Sequence, residues 1–153
     1  MTHEEIINRT VEFVKGELEG AEGGHDWFHI ERVWKTSKTL AKQEKVDLLI
    51  VELGALLHDI ADSKFNGGDE EKGPEKTKLF LKSIDVEDAV IASVVNIVKH
   101  ISFKGGNHEI QYKTKELDVV QDADRLDAIG AIGIARTFNY GGFKGNALYD
   151  PDI

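Results

Sequence analysis

The chain has 153 residues, of which 41% are hydrophobic and 31% charged, as expected for one globular domain with its own core. It contains no cysteine, so disulfides and thiolate metal sites are excluded, and any metal ion would need imidazole and carboxylate ligands. The formal net charge of −9 disfavours binding to bulk nucleic acid or anionic membranes. No apolar run reaches the roughly 18 residues of a membrane span. The acidic N-terminus does not resemble a signal peptide.

Apolar residues recur at helical spacing along the chain, and no segment alternates with period two, which predicts an all-α fold of six helices. The first helix begins at Thr2, which with Glu5 forms a capping-box sequence. Asp26 opens the second helix and Asp47 the third, because aspartate is a preferred N-cap residue. The third helix is expected to stop before Gly67.

The next two helices are predicted from a proline and from a β-branched stretch. The fourth helix starts at Gly73-Pro74, with proline at its first position. The fifth opens at Asp85 and runs through Val98. Its β-branched residues would also permit a strand, but its length and its interspersed polar side chains favour a helix.

A sixth helix is predicted over residues 115–139. Its interior glycines, Gly130 and Gly133, each cost about 1 kcal/mol relative to alanine, and we attribute them to close packing against another helix. No repeat, linker or low-complexity segment divides the chain, so residues 1–153 are expected to form one domain.

A His-Asp pair, His58-Asp59, lies inside the predicted third helix, directly after the apolar residues 54–57. The apolar run predicts burial, and a buried charge is costly unless it is paired or binds a metal ion. Asp59 also falls near the C-terminus of the helix, where the macrodipole disfavours negative charge. A nearby cation would remove both problems. The alternative is a half-exposed polar pair that binds nothing.

Two other predicted helices also place a potential metal ligand where a core residue is expected. His29 lies on the inward stripe with Val33, and Asp124 shares a helix face with Leu117 and Val120. Two histidines and two carboxylates from three helices could converge on one ion. Such a set leaves coordination positions open for water and substrate, as catalysis requires.

Three sequence motifs together resemble those of a known family. They are His-Asp-Trp-Phe-His at residues 25–29, Leu-Leu-His-Asp-Ile-Ala-Asp at 56–62, and Asp-Ala-Asp-Arg-Leu-Asp-Ala-Ile-Gly-Ala-Ile-Gly-Ile-Ala-Arg at 122–136. In this order they resemble the HD superfamily of metal-dependent phosphohydrolases, whose signature is a histidine, a His-Asp pair and a distant aspartate. The closest likeness is to a bacterial subfamily of small HD-domain hydrolases, and it covers residues 25 to about 140.

The resemblance implies an HD-type helical bundle with a metal site between its helices. His29, His58, Asp59 and Asp124 would hold one divalent ion. We expect Mn first; Fe, Co, Ni or Zn also suit these ligands, and Mg suits them less well because of the imidazoles. Members of the subfamily usually continue with further helices beyond the position of Ile153, so the chain is expected to lack a C-terminal helical extension.

The resemblance also suggests a residue that activates water. Asp62 follows His58 by four residues, so both would lie on one helix face. HD hydrolases often carry an acidic residue at this spacing, and Asp62 resembles their water-activating group; a solvated acid near a helix end is the alternative. Lys64, His100 and Lys104 are candidate phosphate contacts, and a hydrogen-bonded structural role is the alternative for His100.

The remaining polar residues near the motifs have less defined roles. Asp127 is a candidate hydrogen-bond acceptor for a ligating histidine. Arg32 could be a salt-bridge partner or a phosphate contact, and Arg125 is expected to pair with Asp122 at i,i+3 spacing. His25 could reach the site from its loop, whereas the aspartate after it is expected to serve as an N-cap.

The activity that the resemblance implies is hydrolysis of a phosphoester or phosphoanhydride bond in a small phosphorylated substrate. We expect a nucleotide, such as a nucleoside triphosphate cut to monophosphate and pyrophosphate, and a cytoplasmic enzyme. Two alternatives stay open. An HD-fold oxygenase with two iron ions would need further ligands, for which His25 and His100 are the spare histidines. A non-catalytic nucleotide-binding sensor is disfavoured by the complete ligand set together with Asp62.

Overall fold

Seven helices and no strand are present in the part of the chain that the computed structural model describes, residues 1–20, 26–61, 69–101 and 112–151. The predicted all-α fold is confirmed. None of these helices is both long and apolar enough to cross a membrane. The helices are α1 (His3–Glu17), α2 (Trp27–Ala41), α3 (Leu48–Leu57), α4 (Lys72–Ser83), α5 (Asp88–His100), α6 (Lys115–Leu126) and α7 (Gly130–Phe143).

Capping side chains set the starts of four helices. Thr2 and Glu5 form the predicted capping box at α1. Asp26 and Asp47 accept hydrogen bonds from backbone N–H groups in the first turns of α2 and α3, as predicted, and Thr114 does the same at α6. These starts were predictable because each one depends on a side chain within three residues of the groups it caps.

Three other boundaries differ from the prediction by a few residues. Helix α3 ends at Leu57, so His58 is its C-cap and Asp59 lies in the turn that follows, not inside the helix. Helix α4 begins at Lys72, one residue earlier than predicted. Helix α5 is a helix, as predicted, but it starts three residues late, because Asp85 has a φ of +52° and belongs to the preceding turn.

The single helix predicted over residues 115–139 is wrong, because the chain breaks between α6 and α7. Gly130 has a φ of +65°, a left-handed conformation that glycine adopts without strain. Gly133 then lies against the chain just before the helix, where a Cβ would fall 2.3 Å from the carbonyl oxygen of Ala128. The glycines therefore serve the break between the two helices and not contact with another helix.

The centre of the bundle is α3, in which residues 51–57 are all buried. It packs against α1, α2, α5 and α6, and it supplies side chains to two apolar clusters. Leu53, Leu56 and Leu57 pack with residues of α1, α4 and α5, while Val51 and Ala55 pack with residues of α2, α5 and α6. Because α3 is surrounded in this way, its C-terminal end emerges among the helices that carry the other candidate ligands.

One buried carboxylate ties α3 to its neighbours. Glu52 accepts hydrogen bonds from Trp34 Nε1 at 2.9 Å and from His3 Nε2 at 2.6 Å, and it forms an ion pair with Lys38 at 3.1 Å. Burial raises the pKa of Glu52, but these partners outweigh burial and the net pKa is lowered. The ionised carboxylate therefore fixes the register of α2 against α3, the two helices that carry or precede His29 and His58.

Two glycines of α7 should respond in opposite ways to alanine substitution. Gly133→Ala should destabilise the protein by about 1–3 kcal/mol, the usual cost of overpacking, because the new methyl group meets the Ala128 carbonyl. The new methyl group of Gly141→Ala meets no atom of the described residues within 4 Å, and this substitution should stabilise the protein by up to about 1 kcal/mol through helix propensity. Urea unfolding of both variants measures the difference; a Gly133→Ala variant as stable as Gly141→Ala would contradict the close contact.

Candidate metal centre

His29 is held in one orientation by a buried carboxylate. Its side chain is 1% exposed, and Nδ1 lies 2.7 Å from Oδ2 of Asp127. Burial raises the pKa of Asp127, but Arg32 and His29 outweigh burial and lower it. Asp127 is therefore ionised and can only accept, so the proton is on Nδ1 of His29 and the lone pair of Nε2 points the other way.

His58 is oriented by the backbone of its own helix. Nδ1 donates to the carbonyl oxygen of Ala55 at 2.8 Å, because a carbonyl can only accept. Nε2 of His58 is buried and has no hydrogen-bond partner among the residues that the structure describes. A buried polar atom without a partner costs about 1–3 kcal/mol, and a bound cation would satisfy it.

The four predicted metal ligands lie close together. Nε2 of His29 is 3.9 Å from Oδ2 of Asp59 and 3.4 Å from Oδ1 of Asp124, and the same Asp124 oxygen is 3.7 Å from Nε2 of His58. His29, His58 and Asp59 each offer a ligand atom, all within 4.8 Å of one another. Ligands at about 2.0–2.2 Å from one ion are spaced by about 3–4 Å, so a divalent ion fits among these atoms.

Exposure shows which side of the cluster is open. The side chains of His29 and His58 are 1% and 2% exposed, whereas those of Asp59 and Asp124 are 15% and 34% exposed. The imidazoles thus form a buried floor and the carboxylates an accessible rim. Water or a substrate would approach from the carboxylate side.

The charges in the cluster shift its pKa values strongly. Burial alone would lower the pKa of His58, but the nearby carboxylates of Asp124 and Asp59 raise it to about 9. Burial raises the pKa of Asp124, but His29 and His58 outweigh this and hold it well below its usual range. In the absence of a metal ion, the cluster therefore holds a proton on His58 to compensate its carboxylates, and a metal ion would replace that proton.

Asp127 is also the partner of two arginines. Arg32 donates to it from Nε at 2.7 Å and from Nη2 at 2.9 Å, so the structure places Arg32 in a salt bridge. Arg136, from α7, donates to Oδ2 at 3.2 Å. The predicted hydrogen bond between Asp127 and a candidate ligand histidine is present. The predicted pair of Arg125 with Asp122 is present as well, at 3.9 Å.

Five predicted site residues remain, and the structure describes one of them. Asp62, Lys64, Lys104 and His25 lie outside the described residues. His100 is the last residue of α5 and stacks on Tyr112, with ring centroids 5.7 Å apart. The roles assigned to these residues remain predictions.

Arg136 contacts the site although no role was predicted for it from the sequence. It closes the third motif, residues 122–136, but it lies nine residues after Asp127. In one continuous helix that spacing would put the two side chains on different turns, so only the break between α6 and α7 brings them together. No local sequence pattern signals that contact.

The chain matches proteins of known structure. A family model described as HD domain matches residues 27–129. YpgQ from Bacillus subtilis is 37% identical in an alignment of 150 positions that covers 92% of this chain and 68% of YpgQ. The crystal structure of an HD-superfamily hydrolase from Bacillus thuringiensis is 45% identical with a TM-score of 0.77, covering 99% of this chain and 73% of the other. A structure of Bacillus subtilis YpgQ in complex with ADP is 33% identical with a TM-score of 0.73, covering 95% and 73%.

The raised pKa of His58 predicts a pH dependence for the metal-free protein. A histidine whose pKa rises from 6.5 to about 9 on folding contributes stability that is fully present below pH 6.5 and is lost as the pH rises through 9. We expect the free energy of unfolding to fall over this interval by more in the wild type than in His58→Gln, which lacks the titrating group. Urea unfolding in chelator at pH 6.5, 7.5 and 9 tests this, and parallel profiles would contradict it.

Proposed function

This chain belongs to the HD domain family, and we propose that it is a metal-dependent phosphohydrolase. The observation that carries the proposal is the convergence of two imidazole nitrogens and two carboxylates around a common point, with Nε2 of His58 buried and without a hydrogen-bond partner among the described residues. The family includes HD-superfamily hydrolases, such as the protein from Bacillus thuringiensis. Asp59 and Asp124 are partly exposed, so the carboxylate side of the cluster is accessible from solvent, as a catalytic metal site requires.

His29, His58, Asp59 and Asp124 are the residues that would hold one divalent ion. Mixed imidazole and carboxylate ligands suit Mn, Fe, Co, Ni or Zn better than Mg, and we propose Mn as the first ion to test. When bound, such an ion would polarise a phosphoryl oxygen and lower the pKa of a coordinated water. Asp127 and the Ala55 carbonyl prepare the two histidines for this role, because each holds a proton on Nδ1 of its histidine and so directs Nε2 toward the cluster.

The proton of the attacking water needs an acceptor, and we assign that role to Asp62. Asp62 follows Asp59 by three residues in the sequence, and Asp59 belongs to the partly exposed side of the cluster. A carboxylate there would orient the water and accept its proton during in-line attack. Lys64, His100 and Lys104 are proposed to contact the phosphates of the substrate.

The proposed substrate is a small nucleotide. The support is the structure of YpgQ in complex with ADP, from a relative that this chain matches over most of its length. The chain has a net charge of −9, so an anionic substrate would depend on a local positive centre, which a divalent ion supplies. Cleavage of a nucleoside triphosphate to monophosphate and pyrophosphate is the specific reaction we propose.

The test of the proposed function is a screen of nucleoside mono-, di- and triphosphates with added Mn. We expect release of pyrophosphate or phosphate from at least one nucleotide, no release in chelator, and recovery when Mn is restored. Chromatography of the nucleotide products identifies the bond that is cut. Nucleotide binding without turnover in the Mn-loaded protein would instead support a sensor.

The role of Asp62 gives a prediction about catalysis. Asp62→Asn should reduce turnover by about 10²–10⁴-fold, the usual effect of losing an acid–base group, while the bound Mn per chain stays close to that of the wild type. Turnover and metal content are measured on the same preparation. An equal loss of metal and activity would show that Asp62 is a ligand or a structural residue.

The ligand role of Asp59 gives a prediction about stability. Added Mn should raise the melting temperature of the wild type, and the gain should grow with Mn concentration, because the ion binds the folded state. Asp59→Asn should lose most of this gain. Asp122→Asn is the matched control, because it also removes one carboxylate but lies on the surface with a side chain that is 67% exposed. Equal gains in the two variants would contradict the ligand role.

A further inference from the structure

The carboxylate of Asp127 is saturated with hydrogen-bond donors. Its Oδ1 accepts from Arg32, and its Oδ2 accepts from Arg32 at 2.9 Å, from His29 at 2.7 Å and from Arg136 at 3.2 Å. The side chain of Asp127 is 6% exposed, and one guanidinium is contributed by α2 and the other by α7. The orientation of this one carboxylate is therefore set from two helices.

Arg136 makes a second contact that fixes its own position. The same Nη1 atom lies 3.2 Å from the backbone carbonyl oxygen of Asp127, and the side chain is 17% exposed. At the start of α7, Gly133 lies against the backbone of Ala128. Arg136 thus spans the turn between α6 and α7 and holds both the backbone and the side chain of Asp127.

The rest of α7 is largely exposed. Of its residues only Gly133 is buried, and large apolar side chains such as Ile134, Phe138 and Phe143 are more than half exposed. Arg136 therefore departs from the rest of the helix in pointing a charged group inward, toward Asp127. Burying a charged group is costly unless the group is paired, and here the partner is the carboxylate that orients His29.

We propose that Arg136 is a positioning residue of the metal centre, which acts through Asp127 to hold the ring of His29 with Nε2 toward the ion. The inference rests on the proposed function only in that a divalent ion binds the cluster. Without Arg136, Oδ2 of Asp127 loses a donor and the turn loses its bridge, so the ring of His29 is less well fixed. Ion affinity then falls, because a ligand must be ordered when the ion binds.

The direction in which Mn affinity changes when Arg136 is replaced distinguishes a positioning role from a purely electrostatic one. Removing a positive charge near a cation site should strengthen Mn binding if charge alone matters. Positioning predicts the reverse: Arg136→Gln should weaken Mn binding by about tenfold, the lower end of the effect of losing an outer hydrogen-bond partner of a ligand. Arg125→Gln is the matched control, because it removes the same charge at the residue that follows Asp124 in the sequence, and the structure pairs this guanidinium with Asp122; it should leave Mn affinity unchanged or slightly higher.

The measurement uses Mn alone, by calorimetry and by the paramagnetic resonance signal of free Mn, on the intact chain. Unchanged or stronger Mn binding in Arg136→Gln would overturn the inference. If this variant does not fold, Arg136→Met replaces it, since it keeps the aliphatic part of the side chain but has no donor, and an affinity equal to that of the wild type would likewise overturn the inference. A wild type that does not bind Mn would instead remove the metal centre itself, so the two failures are distinguishable.

Two further readouts test that Arg136 acts through Asp127. In the Asp127→Asn background, Arg136→Gln should add less than a twofold loss of Mn affinity, whereas a full tenfold additional loss would show an independent role. In nitrogen-15 spectra of the histidine side chains, the metal-free wild type should show His29 with its proton on Nδ1. Arg136→Gln should broaden or shift that signal and leave His58, which is held by Ala55, unchanged; an unaltered His29 signal would contradict the role.

Discussion

The hydrogen bond from Nδ1 of His29 to the carboxylate of Asp127, at 2.7 Å, joins α2 to the turn that follows α6. It holds the proton on Nδ1 of this buried imidazole, and so directs Nε2 of His29 toward Asp59 and Asp124. The same carboxylate receives Arg32 from α2 and Arg136 from α7. The break between α6 and α7 and the orientation of the candidate ligand therefore depend on one another.

Two buried polar groups lie along α2 and α3, and they differ in how completely they are satisfied. Glu52 has donors from α1 and α2 on its carboxylate and needs nothing further. The second group contains Nε2 of His58, which has no hydrogen-bond partner in the described part of the chain, and a rim of carboxylates that are partly exposed. The first group stabilises the packing of the helices, whereas the second could hold a cation, which is why the proposed function is assigned to it.

The accuracy of the predictions followed the range of the interactions involved. Thr2, Asp26 and Asp47 were correctly predicted as caps because an N-cap acts on backbone groups two or three residues away. The prediction of one long sixth helix was wrong because a glycine at position 130 is compatible with both a helix and a left-handed turn. The side chains that contact Asp127 favour the turn between α6 and α7. Two of them, His29 and Arg32, come from a helix about 95 residues earlier in the chain.

The sequence by itself determined the all-helical fold, the starts of α1, α2, α3 and α6, and the types of side chain available to a metal ion, because these depend on local spacing and on the absence of cysteine. Only the tertiary structure decided that His58 caps α3 instead of lying within it, that the two imidazoles form a buried floor beneath Asp59 and Asp124, and that Arg136 meets Asp127. Those features arise where separate helices meet, and the distances between their side chains are set by packing around α3. Spacing along the chain carries no information about them.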